Sequence, residues 1–281
     1  MTVFEGSKMK NNIKVLMYHR VLEEKPIWNS KWHYVTADMF ERQMQWLDRL
    51  GYKTITFADY DLFLKGRLTL PKKSIIITFD DGYLDTYTVA IPIMKKYNMR
   101  AVIFVLGNRK LVRAEWDEVS GEAPCILMND DQLRVADAMG FEIGAHSMNH
   151  LDLVSISDSE MAREIGRSKD QIEQILGKPI HAFAYPYGRV DERVSEAVME
   201  WGFDFACGVY TGPPEFSKNT FDIRRLAIHT DISILNFLLR IITPYQYLHW
   251  TYSKVRSKTH KISKSYSSRK VEQVSVEHPV N

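Results

Sequence analysis

The sequence predicts an α/β protein built on one closed or nearly closed parallel sheet. Residues 74 to 79 read SIIITF, an apolar and β-branched run without polar alternation, as expected of a strand buried on both faces. Residues 101 to 106, AVIFVL, form a second run of this kind. Strand-like and helix-like segments then alternate from residue 14 to about residue 229, which favours one layered unit over two domains. With 281 residues, 45% of them hydrophobic, the chain can bury an ample core.

The elements follow in order. Residues 14 to 18 (KVLMY) give the first strand, ending at His19 and Arg20. Residues 23 to 37 read as a polar, aromatic loop carrying Trp28, Trp32 and Tyr34. A helix is expected to start at Asp38, with Glu41 at capping-box spacing. Phe40, Met44, Leu47 and Leu50 share its apolar face, and Gly51 ends it. A short strand at 53 to 56 and a helix at 57 to 65 follow. Residues 86 to 97 read as a helix despite Pro92, whereas residues 107 to 128 show no period and read as an insertion. A helix at 130 to 139 and a strand at 141 to 145 precede the clearest helix, residues 157 to 176. Met161, Ile165, Ile172 and Ile175 line one face of it, and Gly177 and Pro179 close it. A strand at 182 to 185, a helix at 193 to 201 and strands at 203 to 208 and 225 to 229 complete the alternation.

A formal net charge of +2 argues against a nucleic-acid binder. Cys125 and Cys207 are too few for a disulfide scaffold and lack metal-site spacing. The first twenty residues mix acids, lysines and asparagines where a signal peptide needs an apolar run, and no stretch of about eighteen apolar residues occurs. These features predict a soluble, cytoplasmic protein. The C-terminal end differs in character: residues 232 to 252 are apolar and aromatic, and seven Lys or Arg follow between positions 254 and 270 without an acid. Two readings stand open there. One is a final helix on the core with a disordered tail; the other is an interfacial segment with a basic flank drawn to anionic lipid at the inner membrane face.

Four stretches carry chemistry. Asp80, Asp81 and Gly82 follow the central strand directly, at the edge where parallel α/β folds collect reacting groups. Asp-Asp-Gly is also ordinary turn chemistry. The second stretch, EIGAHSMNH, places His146 and His150 four apart, as for two imidazoles on one helical turn past a strand. With Asp81 they make a two-histidine, one-carboxylate set that suits a catalytic divalent ion with open positions, and Ser147 is placed to fix the turn. The third, HAFAYPYGR, leads a strand into a fixed turn whose backbone N–H groups can face an oxyanion. The fourth, RRLAIHTD, delivers His229 to the same edge, as a general acid or as a polar rim residue.

TFDDGY, HSMNH and AYPYG, in that order, resemble the polysaccharide deacetylase family, the carbohydrate esterases with a NodB homology domain. The resemblance spans about residues 14 to 231. The phrases LMYHRV and LGKPIHAFAYPYG resemble the branch that deacetylates N-acetylglucosamine exopolysaccharides. It implies a distorted (β/α)7 barrel over residues 14 to 240, with residues 1 to 13 an extension and 241 to 281 an apolar and basic tail. It implies a divalent metal, zinc first and cobalt, nickel or manganese as alternatives, held by Asp81, His146 and His150. It further implies Asp80 as catalytic base, the backbone N–H of Tyr187 in the oxyanion site and His229 as the acid that protonates the leaving amine. The chain departs from the pattern at Ala184, where the family often has an arginine; Arg100, Arg189 and Arg225 are candidates for that role. The implied substrate is an N-acetylated sugar, and the cytoplasmic expectation points to a lipid-linked or nucleotide-linked precursor or a nascent glycan. A deformylase on a formamido sugar, an amidase on cyclic imides and a non-catalytic glycan-binding barrel are the competing readings.

Overall fold

The computed structural model describes residues 13–26, 33–119, 125–209, 219–246, 248 and 251–252. Trp28 and Trp32, the first twelve residues, positions 120 to 124 of the insertion and the basic tail lie outside them. The main sheet is parallel throughout and curls in the order β10 (Leu226–Ala227), β1 (Lys14–Tyr18), β5 (Ser74–Phe79), β6 (Val102–Val105), β7 (Glu142–Ala145), β8 (Ala182–Ala184) and β9 (Phe205–Cys207). At the seam Cys207 bridges Ile223, and four residues later Ala227 pairs with Met17, so the segment between spans from β9 back to β1. This is the distorted barrel that the sequence predicts. β4 (Lys53–Thr54) pairs the first residues of β5 on the edge that β6 takes further along.

The central strand reads apolar without alternation because both of its faces are buried. Ile75, Ile77 and Phe79 pack outward against helices, with Leu16, Tyr18, Ile103 and Val105. Ile76 points the other way into the curl, with Val15, Phe104, Ala184 and Phe205. Neighbouring residues take opposite faces, so Thr78 and Asp80 follow Ile76 inward. The carboxylate therefore sits at the mouth of the barrel's interior.

Helices cover the outside. α1 (Ala37–Arg49) is capped by Thr36, whose hydroxyl accepts from Met39 N, rather than by Asp38. Strand β3 (Tyr34–Thr36) runs straight into the helix, which leaves Asp38 inside the first turn. β3 pairs β2 (Arg20–Leu22) in a small parallel sheet that replaces part of the expected 23-to-37 loop and sets His19 beside His33, ring centroids 5.3 Å apart. α2 (Phe57–Leu64) lies where expected. The expected helix at 86 to 97 opens as a π-turn, residues Thr86–Ala90, before α3 (Ile91–Lys96). Ile91 N donates to Thr86 O, five residues back, and Pro92 has no N–H to make the α-helical bond to Thr88 O.

The insertion is ordered against the site. Leu84 N donates to Ile126 O and Met128 N to Gly82 O, and the short helix α4 (Trp116–Val119) follows Ala114. α5 (Asp130–Ala138), α6 (Asp158–Leu176) and α7 (Glu192–Glu200) are the crossovers after β6, β7 and β8. α8 (Ile234–Ile242), capped by Ser233, packs on α1, and Lys14 Nζ donates to Arg240 O, Ile241 O and Thr243 O at its C-terminal end. No helix among the described residues is long and apolar enough to cross a membrane.

Candidate active site

Asp80, Asp81, His146, His150, Tyr187 and His229 all line one cavity of about 380 Å³ at the C-terminal edge of the sheet. Five of the six come from loops that directly follow β5, β7 and β8, and His229 lies two residues past the end of β10. Asp81 Oδ1 lies 3.3 Å from His146 Nε2 and 3.2 Å from His150 Nε2, and all three side chains are buried.

The two histidines do not share a helical turn. Residues 146 to 150 form a tight bend in which Ser147 (φ 62°) and His150 (φ 59°) are left-handed, and Ser147 Oγ accepts from His150 N at 3.0 Å. A spacing of four serves a helix and such a bend alike, and Ser147 holds the bend as its place in the motif suggests. Asp81 (φ 71°) and Tyr187 (φ 58°) are left-handed too. Thus, of the five non-glycine residues with positive φ among the described residues, three line this cavity and a fourth, Ser147, is buried directly behind it next to His146. Gly82 (φ 72°) is required behind Asp81, because a Cβ there would stand 2.9 Å from Val105 Cγ1.

The donor set suits a divalent cation. His146 Nδ1 lies 2.7 Å from Ala184 O, so its N–H donates there and turns the Nε2 lone pair towards Asp81. Asp81 Oδ1, buried, has no well-directed hydrogen bond among the described residues. Two imidazole nitrogens and one carboxylate oxygen, all within 4.8 Å of one another, thus converge on one point. Burial opposes ionisation of Asp81, but the His146 and His150 imidazoles outweigh it and hold the carboxyl well below its usual range. Burial likewise pushes His146 down, and Asp81 and then Asp80 overcome it, so its pKa is raised.

Asp80 has a different partner. Arg225 Nη1 donates to its Oδ1 at 2.6 Å and Nη2 to its Oδ2 at 2.7 Å, with both side chains buried. Arg225 is itself held by Gly208 O, by Thr78 Oγ1 and by the face of Phe104, 5.6 Å away. Burial would raise the Asp80 pKa; the guanidinium and then His146 more than offset it and the pKa lies below the ordinary value. Of the three candidate arginines, Arg100 pairs with Asp59 and Arg189 with Asp152, and only Arg225 reaches the site.

Several cavity residues carry no role in the sequence reading, among them His19, Tyr83, Trp116 and Asp117. Trp116 stacks on His150 with centroids 4.4 Å apart, and Tyr83 donates to Asp117 at 3.0 Å, so the insertion shapes the cavity wall. Tyr187 packs edge-on to His150 at 4.7 Å and is 56% exposed. His19 is pushed down by burial against the pull of Asp81 and Asp80, and His229 by burial and then by Arg240. LMYHR holds the only signal for His19: a histidine at the end of a buried strand.

Comparisons with known proteins bear on the family and the fold. A family model described as polysaccharide deacetylase matches residues 67–206, a span with all the proposed site residues except His229. YxkH of Bacillus subtilis is 26% identical over 221 residues, 79% of this chain and 73% of its own. The poly-beta-1,6-N-acetyl-D-glucosamine N-deacetylase of Staphylococcus epidermidis is 24% identical over 241 residues, 79% of this chain and 81% of its own. Among solved structures, the Streptococcus pyogenes deacetylase PplD in complex with acetate superposes with a TM-score of 0.71 at 26% identity, covering 83% of this chain and 98% of that one.

Proposed function

The chain belongs to the polysaccharide deacetylase family, and from that premise we propose that it removes the N-acetyl group from an acetamido sugar in a polysaccharide or glycan precursor, using a divalent cation. The observation that carries this reading is the convergence of Asp81, His146 and His150 beside a carboxylate that Arg225 keeps ionised. The cation, zinc by the nitrogen-rich ligand set, supplies Lewis acidity that polarises the acyl carbonyl and lowers the pKa of a water.

Asp80 takes the proton of the attacking water. Arg225 uses one lone pair on each of its oxygens, and the others remain for the cavity. The backbone N–H of Tyr187 is assigned to the developing oxyanion. The proton for the departing nitrogen comes from a cavity histidine. The resemblance assigns this to His229; His19, on the same cavity wall, is the second candidate, and burial lowers both, His19 against the pull of Asp81 and Asp80 and His229 against that of Asp231. The stacked Trp116 and the edge of Tyr187 give the cavity an aromatic lining that suits a pyranose ring.

The test is acetate release from chito-oligosaccharides and from UDP-N-acetylglucosamine by protein stripped with chelator and reloaded with zinc, cobalt, nickel or manganese. Cation-dependent acetate is expected. Asp80→Asn is expected to lower turnover by about 10²–10⁴-fold while the cation still binds, and His19→Ala and His229→Ala identify the acid. Near-wild-type turnover in Asp80→Asn would overturn the mechanism. Formate in place of acetate from formamido sugars would change the acyl group and leave the site assignment standing.

A further inference from the structure

We propose that the outer face of α8, with the basic chain that follows it, docks this protein on an anionic lipid bilayer. The helix is apolar on two opposite faces. Phe237 and Ile241 are buried against the core, while Leu235, Leu239 and Ile242 are 64%, 42% and 59% exposed. Their spacing of four and three residues puts them in one stripe. Leu248 and Tyr252, 64% and 66% exposed, continue the apolar character past the helix. A helix on the surface of a soluble protein presents charge there; the only charged side chain in α8 is Arg240, and it turns back onto Ala227 O and the ring of Tyr245.

Charge identifies the occupant. Residues 232 to 271 contain no Asp or Glu and eight Lys or Arg: Arg240 and seven between 254 and 270. The whole chain carries 37 Lys and Arg and 35 acids, so outside this stretch the acids lead by 35 to 29. An anionic surface therefore attracts this end of the molecule and repels the rest, which orients the protein as well as binding it. A second copy meeting the same face would bring two strongly basic stretches together. Exposed leucines, tyrosine and a basic flank are the composition of a segment that lies in a headgroup layer.

The placement of α8 gives the docked protein an orientation. The helix begins after Ser233, four residues beyond His229 at the cavity, and its last carbonyls end on Lys14 at the start of β1. It runs from the catalytic edge to the opposite end of the sheet, so docking lays the barrel's flank on the lipid and leaves the cavity opening beside the surface. The proposal is independent of the deacetylase reading.

Flotation with vesicles of phosphatidylcholine, alone or mixed with phosphatidylglycerol, tests it with the full chain. Wild type is expected to float with the mixed vesicles only, and added salt is expected to release it. Leu235→Glu, Leu239→Glu and Ile242→Glu together are expected to weaken flotation by about tenfold or more. Unchanged thermal unfolding shows that this variant is folded; if it is not, Leu235→Gln with Ile242→Gln takes its place. No flotation of wild type at low salt, equal flotation on neutral vesicles, or equal flotation of the stripe variant would each overturn the proposal. So would a dimer in sedimentation that the stripe variant converts to monomer, since that assigns the face to a second copy.

Discussion

The Asp80–Arg225 pair keeps a carboxylate charged at a place nearly closed to water. Removing one partner of such a pair leaves the other charge buried and costs about 3–5 kcal/mol. Asp80 has a depressed pKa in the folded chain, so its contribution to stability is present above the unfolded pKa and is lost as acid carries the pH down through the folded one. Arg225→Gln removes the largest of the influences that oppose burial and drives that pKa up. Its expected signature is a lower unfolding free energy together with an acid limb of kcat/KM displaced to higher pH. An acid limb that stays in place would show that Arg225 does not set the ionisation of Asp80. The sequence offered Arg225 only as one of three candidate arginines and did not single out its pairing with Asp80. Arg224 and Arg225 are adjacent; one turns out to Asp222, and the other turns in to a carboxylate 145 positions earlier. Alternation decides which is which, and the strand's inner face is known only once its neighbours are.

Helix α6 supports the histidine bend from behind. Glu164, 5% exposed, accepts from Met148 N at 3.1 Å, Asn149 N at 2.8 Å and Asn149 Nδ2 at 2.5 Å, and these are the residues just before His150. Glu164→Gln replaces one acceptor oxygen with a donor facing N–H groups. It is expected to weaken zinc binding by about 10–100-fold in titration calorimetry, with Glu164→Asp between it and wild type. Equal zinc affinity in all three would remove the positioning role. The helix itself was legible: its apolar stripe and Gly177 stop hold, with Met161, Ile165, Ile172 and Ile175 buried, and of the two N-terminal candidates, Ser157 and Asp158, Ser157 is the cap. Glu164, beside Ile165 in that stripe, reads as solvated surface until the bend is known to reach over it. The same limit applies to Trp116 and Asp117, whose segment has no period of its own and takes its shape from Gly82 and Leu84.

At the scale of the whole molecule, strand order and closure depend on pairings between distant segments. Local pattern foretold the alternation of strands and helices, because burial on both faces leaves its mark in runs such as SIIITF. It did not foretell the bridge from Cys207 to Ile223 at the seam, nor the β2–β3 sheet that brings His33 to the cavity. The ligand set ties this architecture together: Asp81 follows β5, His146 and His150 follow β7, and His146 is hydrogen-bonded to β8 through Ala184. A cation on these residues links separate strands and stabilises the folded chain by mass action. In thermal unfolding, chelated protein given zinc at about a hundred times its dissociation constant is expected to gain about 2.7 kcal/mol. The same addition to Asp81→Asn is expected to leave the midpoint where it was. A gain in that variant equal to wild type would place the cation elsewhere.

The cluster of left-handed residues at the cavity has a consequence for any search among variants. Asp81, Ser147, His150 and Tyr187 hold a backbone conformation that costs an L-residue roughly 1–2 kcal/mol and glycine almost nothing. A library selected on heat resistance alone, in the absence of a cation, would favour glycine at Asp81, His150 and Tyr187, whereas Ser147 is kept by the hydrogen bond that its hydroxyl accepts from His150 N. Its winners would be better-folded chains with an inert pocket, so a screen for robust variants of this protein has to score turnover alongside survival.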